Sequence, residues 1–174
     1  PIMPNDKLTS INTEWWYHWY EPQYTIGKVQ QWHGNSGAVI RSWAYYYRRS
    51  GKDLRAMSEH AVLNANSLRH RIMEEAKIAG VDHLFCDGAE IGVVKHEFSL
   101  SMAPMKEELG VGAMDIAKGL LDKGYMAPTV YFPLVVPECM MFEPTETESK
   151  DTLDEFAKKF IEVLQEDPEV CLLY

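Results

Sequence analysis

Asp53-Leu54-Arg55-Ala56-Met57-Ser58-Glu59-His60-Ala61-Val62-Leu63-Asn64-Ala65-Asn66-Ser67-Leu68-Arg69-His70-Arg71-Ile72 carries the clearest periodicity in this 174-residue chain. Leu54, Met57, Ala61, Ala65, Leu68 and Ile72 recur at the three- and four-residue steps that put side chains on one side of an α-helix. Arg55, Glu59, Arg69 and Glu74 fall outside that stripe. The spacing therefore predicts a helix with one face in a core, stopping near Gly80.

Downstream the period changes. Val81 to Cys86 and Val93 to Leu100 read as strands around a turn at Asp87-Gly88. In the second, Val94, His96, Phe98 and Leu100 fall on one face, and Lys95, Glu97 and Ser99 on the other. Pro104 to Gly110 suits a short turn or helix. Ala113 to Asp122 suits a helix with Met114, Ala117, Leu120 and Leu121 inward and Gly124 as its stop. Pro128, Pro133 and Pro137 bracket Thr129-Val130-Tyr131-Phe132, and Glu138 to Phe142 is a further strand. A last helix opens around Thr145 to Ser149, where Thr145 and Glu148 have capping-box spacing, and places Leu153, Phe156, Phe160, Ile161 and Leu164 on one stripe. This order predicts an α+β fold, helices layered on a small sheet.

Upstream, Ala38 to Tyr47 suits a helix buried on several sides and ended by Gly51. Residues 1–30 are rich in Pro, Trp and Tyr and read as an extended arm, with residues 31–174 as one domain; Trp15-Trp16-Tyr17-His18-Trp19-Tyr20 suits a strand or an aromatic surface. The opening Pro1-Ile2-Met3-Pro4 has no initiator Met and no leader, so the chain reads as a segment of a longer protein.

Composition narrows the function classes. A hydrophobic content of 46% suits a folded domain rather than wholesale disorder. The net charge of −9 argues against nucleic acid as a main ligand. There is no apolar run of membrane-spanning length. Cys86, Cys139 and Cys171 form no paired motif, which points to buried thiols in a reducing compartment, the cytoplasm. His, Cys and carboxylates nowhere cluster at metal-ligand spacing, so no metal is expected.

Three places offer chemistry. Gly34-Asn35-Ser36-Gly37 precedes a helix, where backbone amides favour an anion, although Asn and Ser also serve as ordinary N-caps. His96 reads either as a hydrogen-bonded histidine fixing the sheet or as a polar group at the mouth of a site. Glu143-Pro144-Thr145-Glu146-Thr147-Glu148-Ser149 holds three carboxylates and three hydroxyls in seven residues. Glu143, Thr145 and Glu146 there suit either a helix start or the lining of an entrance. Arg41 and Arg48 could bind a carboxylate or stand in solvent.

Several segments together carry a family resemblance. They are Ile26-Gly27-Lys28-Val29, Gly34-Asn35-Ser36-Gly37, Ser58 to Asn66, Lys95-His96-Glu97-Phe98, Asp115-Ile116-Ala117-Lys118, Gly124, Ala127-Pro128-Thr129 and Glu143 to Ser149. In that order, over about residues 24 to 165, the chain resembles the C-terminal part of the glycine cleavage P-protein. It is most similar to the second subunit of the two-subunit bacterial form.

The resemblance implies the small domain of a fold-type-I pyridoxal phosphate enzyme, with a mainly antiparallel sheet. Such an enzyme decarboxylates glycine and passes the aminomethyl group to the lipoyl arm of the H-protein. The family holds its cofactor on a lysine in an Asn-x-His-Lys context, and none of the eleven lysines here follows that triplet. The resemblance therefore implies an inactive isolated chain without cofactor or catalytic residues of its own. Asn35 and Ser36 would reach the cofactor phosphate across a subunit interface, and His96, Glu143, Thr145 and Glu146 would line the entrance. The implied partners are the rest of the P-protein, its other subunit and the lipoylated H-protein. Apolar surface bared by excision implies self-association. Two other readings stay open: a free-standing, non-catalytic interaction domain, and the small domain of another fold-type-I enzyme.

Overall fold

A computed structural model of the chain describes residues 2–4, 17–19, 23, 24, 26, 34–87 and 92–172. It divides into two compact units, Pro1–Arg48 and Arg49–Tyr174. The predicted helix after the arm lies within the first of these units. Of the aromatic run, Trp15, Trp16 and Tyr20 lie outside the described residues, as does Gly27-Lys28-Val29.

In the first unit, β1 (Ile2–Pro4) pairs antiparallel with β2 (Tyr17–Trp19), Met3 opposite His18. Helix α1 (Ser36–Tyr47) buries none of its residues. That departs from the burial expected of so apolar a segment: Val39, Ile40, Trp43, Tyr46 and Tyr47 all face outward.

The second unit begins with α2 (Gly51–Ala79). Gly51 is its first residue, not the stop of α1. Ser50 is an N-cap whose Oγ accepts from the Asp53 amide at 3.3 Å, while Asp53 Oδ2 accepts from the Ser50 amide at 2.7 Å. This reciprocal box satisfies two otherwise unpaired donors and outweighs the stop signal of the glycine. At the other end Gly80 takes φ 72°, the left-handed cap its sequence position calls for.

The predicted strand at 81–86 is mostly a 3-10 turn, Asp82–Leu84, since the consecutive burial of Leu84 and Phe85 defeats strand alternation. Only β3 (Cys86–Asp87) joins the sheet. Next come β4 (Phe98–Ser101), α3 (Ala103–Leu109), α4 (Ala113–Asp122), β5 (Thr129–Val130), β6 (Cys139–Phe142), α5 (Lys150–Leu164) and α6 (Pro168–Cys171). The sheet runs in the order β3-β4-β6-β5, antiparallel throughout. This is the expected α+β arrangement.

Helices α2 and α5 pack on each other, and α4 lies against α5. Their apolar stripes meet the sheet around Phe160, which touches Phe85 and Phe142 edge-on at centroid distances of 6.2 and 5.4 Å. Ile72, Leu100, Met102, Met105, Ile116, Leu120, Met140 and Leu164 are among the other large side chains buried there. In α4, Ala117 and Leu120 point inward as expected, but Met114 and Leu121 are exposed and Ala113 and Ile116 take the inner places. The predicted cap of α5 also moves. Ser149 Oγ accepts from the Thr152 amide at 3.1 Å, whereas the Thr145 hydroxyl lies 2.8 Å from that of Thr147. Of the thiols, Cys139 and Cys171 are buried, and burial pushes both upward, so they stay protonated; Cys86 is exposed.

Candidate functional site

The register of two strands assembles the site. Phe98 of β4 lies opposite Phe142 of β6, and their rings stack at 5.0 Å. The segment entering β4 and the one leaving β6 therefore emerge side by side at one end of the sheet. The predicted strand does not reach back to Val93: residues 92–97 are irregular, so period-two alternation stops at Phe98. For that reason Glu97 does not face away from His96. His96 Nε2 lies 3.8 Å from Glu97 Oε2 and 3.8 Å from Glu143 Oε1, with all three side chains about half exposed. His96 is at the rim, not on an inner strand face.

Glu143 and Thr145 line a groove of about 320 Å3. Leu68, Phe142, Leu153 and Phe156 supply apolar lining, with Tyr125 and Met126 also beside it. The Tyr125 ring meets Phe156 edge-on at 5.5 Å. Desolvation first, then the hydrogen bond with Glu155, pushes its phenol up, so Tyr125 remains a neutral hydroxyl. Glu148 lines the groove as well, whereas Glu146, half-buried in the same loop, does not. A larger depression of about 590 Å3 lies along α2 between Glu59, Met73 and Val93 and holds none of the predicted residues.

Both loops are tied to α2. The Asn64 carboxamide donates to the carbonyls of Thr145 at 2.8 Å and Glu148 at 3.2 Å. Asn66 donates to the Val94 carbonyl at 2.7 Å and accepts from the Val94 amide at 2.9 Å. Arg69 forms an ion pair with Asp87 and donates to the Gly92 carbonyl at 3.3 Å. Residue by residue, the sequence assigns Asn64 and Asn66 no role and sets Arg69 only outside the apolar stripe. The available signal was a pair of amides flanking Ala65, which is fully buried.

Asn35 and Ser36 stand in the first unit, the other predicted residues in the second. Asn35 Oδ1 accepts from the Ala38 amide at 3.1 Å and so caps α1; both residues are exposed. Chemically, an imidazole between two carboxylates can take up or hand on a proton, and the carboxylates can receive a cationic or hydroxyl group. A covalent cofactor tether is a different matter. Among the described residues, seven lysines are exposed, and the half-buried Lys123 and Lys159 are paired with Glu166 and Glu162. Neither groove has a lysine in its lining.

Comparison with known proteins gives the chemistry a context. The family described as "Glycine dehydrogenase, C-terminal domain" matches residues 57–171. A Desulforamulus reducens protein named "Probable glycine dehydrogenase (decarboxylating) subunit 2" is 40% identical over 166 residues, covering 95% of this chain and 32% of that protein. Proteins of the same name from Halalkalibacterium halodurans and Bacillus cereus are 44% and 43% identical, over 86% and 98% of this chain and 28% and 30% of theirs. The chain thus spans about a third of the length of these relatives.

Proposed function

The chain belongs to the family of glycine dehydrogenase C-terminal domains, and on that premise we propose that it is the C-terminal part of a pyridoxal phosphate-dependent glycine decarboxylase. The complete enzyme removes CO2 from glycine and passes the aminomethyl group to the lipoyl arm of an H-protein. When bound, pyridoxal phosphate supplies an electron sink for the electrons that CO2 leaves behind. Its tether comes from polypeptide outside this chain, and the isolated chain is inactive. The enzyme works in the cytoplasm, joined to the rest of the P-protein and its other subunit.

Within that reading this domain forms one wall of the entrance. The supporting observation is the meeting of His96, Glu97 and Glu143 beside a groove with an apolar lining, in a domain of this family. Glu143 and Thr145 would orient the incoming arm by hydrogen bonds, the apolar lining would follow its alkyl stem, and His96 would keep Glu143 in place. In the first unit, Asn35 and Ser36 would meet the cofactor phosphate of a neighbouring subunit, where a helix N-terminus favours an anion.

The test uses the complete polypeptide assembled with its other subunit, measuring exchange of labelled bicarbonate into glycine with H-protein present. The complete enzyme exchanges, the 174-residue chain alone does not, and Glu143→Gln raises the apparent KM for H-protein about tenfold, the loss of roughly one charge-assisted hydrogen bond. Exchange by the chain alone, or pyridoxal phosphate covalently held on one of its lysines, would overturn the assignment.

A further inference from the structure

Successive residues of an α-helix turn by about 100°, so Asn64 and Asn66 flank Ala65 on opposite sides. Ala65 is fully buried and fixes that face of α2 on the core. One carboxamide is thereby aimed at the loop after β6 and the other at the loop before β4. Asn66 contacts both the amide and the carbonyl of Val94, as a neighbouring strand would, and donates also to the Val62 carbonyl at 2.7 Å. It substitutes for a strand partner where the β4 pairing has ended. Asn64 gathers the carbonyls of Thr145 and Glu148 onto one nitrogen and closes the turn in which the Glu148 amide donates to the Thr145 carbonyl at 3.2 Å.

We propose that Asn64 and Asn66 are paired positioning residues that hold the two loops at the spacing where His96 and Glu143 meet over the groove. The catalytic importance of that meeting rests on the function proposed above; the holding itself does not. A helix packed in the core is a firmer reference than either loop. Two short carboxamides on one turn of it fix both loops against the same frame. Any change at one amide then moves one member of the pair relative to the other, without entering the groove.

Isosteric substitutions separate positioning from packing. Asn64→Asp keeps shape but sets a carboxylate against two carbonyls. Asn66→Asp keeps the acceptor for the Val94 amide and loses the donors, whereas Asn66→Ala loses both. In the full chain, hydrogen exchange at the Val94 amide rises about tenfold in Asn66→Ala and about threefold or less in Asn66→Asp; at Glu148 it rises about tenfold in Asn64→Asp, with Leu100 and Met140 unchanged. In the complete assembled enzyme, Asn64→Asp and Asn66→Ala raise the KM for H-protein about fivefold or more and leave kcat within about threefold. Unchanged loop exchange overturns the proposal, as does a fall in kcat matched by a general rise of exchange across the sheet. Loss of the proposed function alone, with no glycine exchange by the wild-type complex, leaves the loop measurements as the deciding arm.

Discussion

Helices α1 and α5 reverse what composition leads one to expect. Eight of the twelve residues of α1 are hydrophobic, and none is buried. Only seven of the fifteen in α5 are hydrophobic, and six of those are buried, among them Phe160 and Leu164. The difference is arrangement. In α5 the apolar residues fall on one stripe with charges behind it, a form that a sheet can accept on one side. In α1 they crowd nearly every face, with Trp43 stacked on Tyr47 at 4.9 Å. Periodicity decides burial inside a domain; unpatterned apolar bulk marks a surface that looks outward for its partner.

The contrast can be broken most forcefully at Phe160. Replacing it by Ala leaves a void among Phe85 and Phe142 and lowers unfolding free energy by about 3–5 kcal/mol in denaturant titration. The counterpart substitution, Trp43→Ala, changes stability by less than about 0.5 kcal/mol; a loss near that of Phe160→Ala would erase the distinction. Whether the solvent-facing aromatics act between molecules is decided by association rather than by stability. Trp43→Ser with Tyr47→Ser weakens self-association in sedimentation equilibrium by about tenfold, equivalent to roughly 1.4 kcal/mol, while a chain that is monomeric at all concentrations removes the role given to α1.

The boundary between the two regions gives smaller effects. Ser50→Ala costs about 1 kcal/mol by removing one half of the cap on α2. Asp53, the other half, is held below its ordinary 3.8 chiefly by the Ser50 amide, then by the Ser50 hydroxyl. A carboxyl depressed on folding contributes stability that is complete above its unfolded value and lost as pH falls through its lower folded one. Helicity at the start of α2 therefore declines modestly below about pH 4, and Asp53→Asn flattens that decline. A decline starting near neutrality would assign it to another group.

Much of this fold was legible because α2, α4 and α5 follow helical period closely enough to read without a partner. Gly80, Gly110 and Gly124 each take the positive φ that their place after a helix implies. Short-range signals competed elsewhere. Gly51 looked like an end although Ser50 and Asp53 made a beginning, and Thr145 with Glu148 imitated the cap that Ser149 provides. The site was only half legible. His96 and Glu143 stood out by type, but their proximity depends on Phe98 lying opposite Phe142, a long-range pairing that one sequence does not encode locally. The roles of Asn64 and Asn66 were hidden for the same reason, since each acts on a loop distant in the chain.

The stacked pair of Phe98 and Phe142 carries a further consequence. Side chains on neighbouring strand positions point to opposite faces, so a slip of one residue between β4 and β6 would turn one of these rings out to water. The same slip would part His96 from Glu143. A single aromatic contact thus proofreads the sheet: a chain zipped in the wrong alignment loses its mouth and part of its core together.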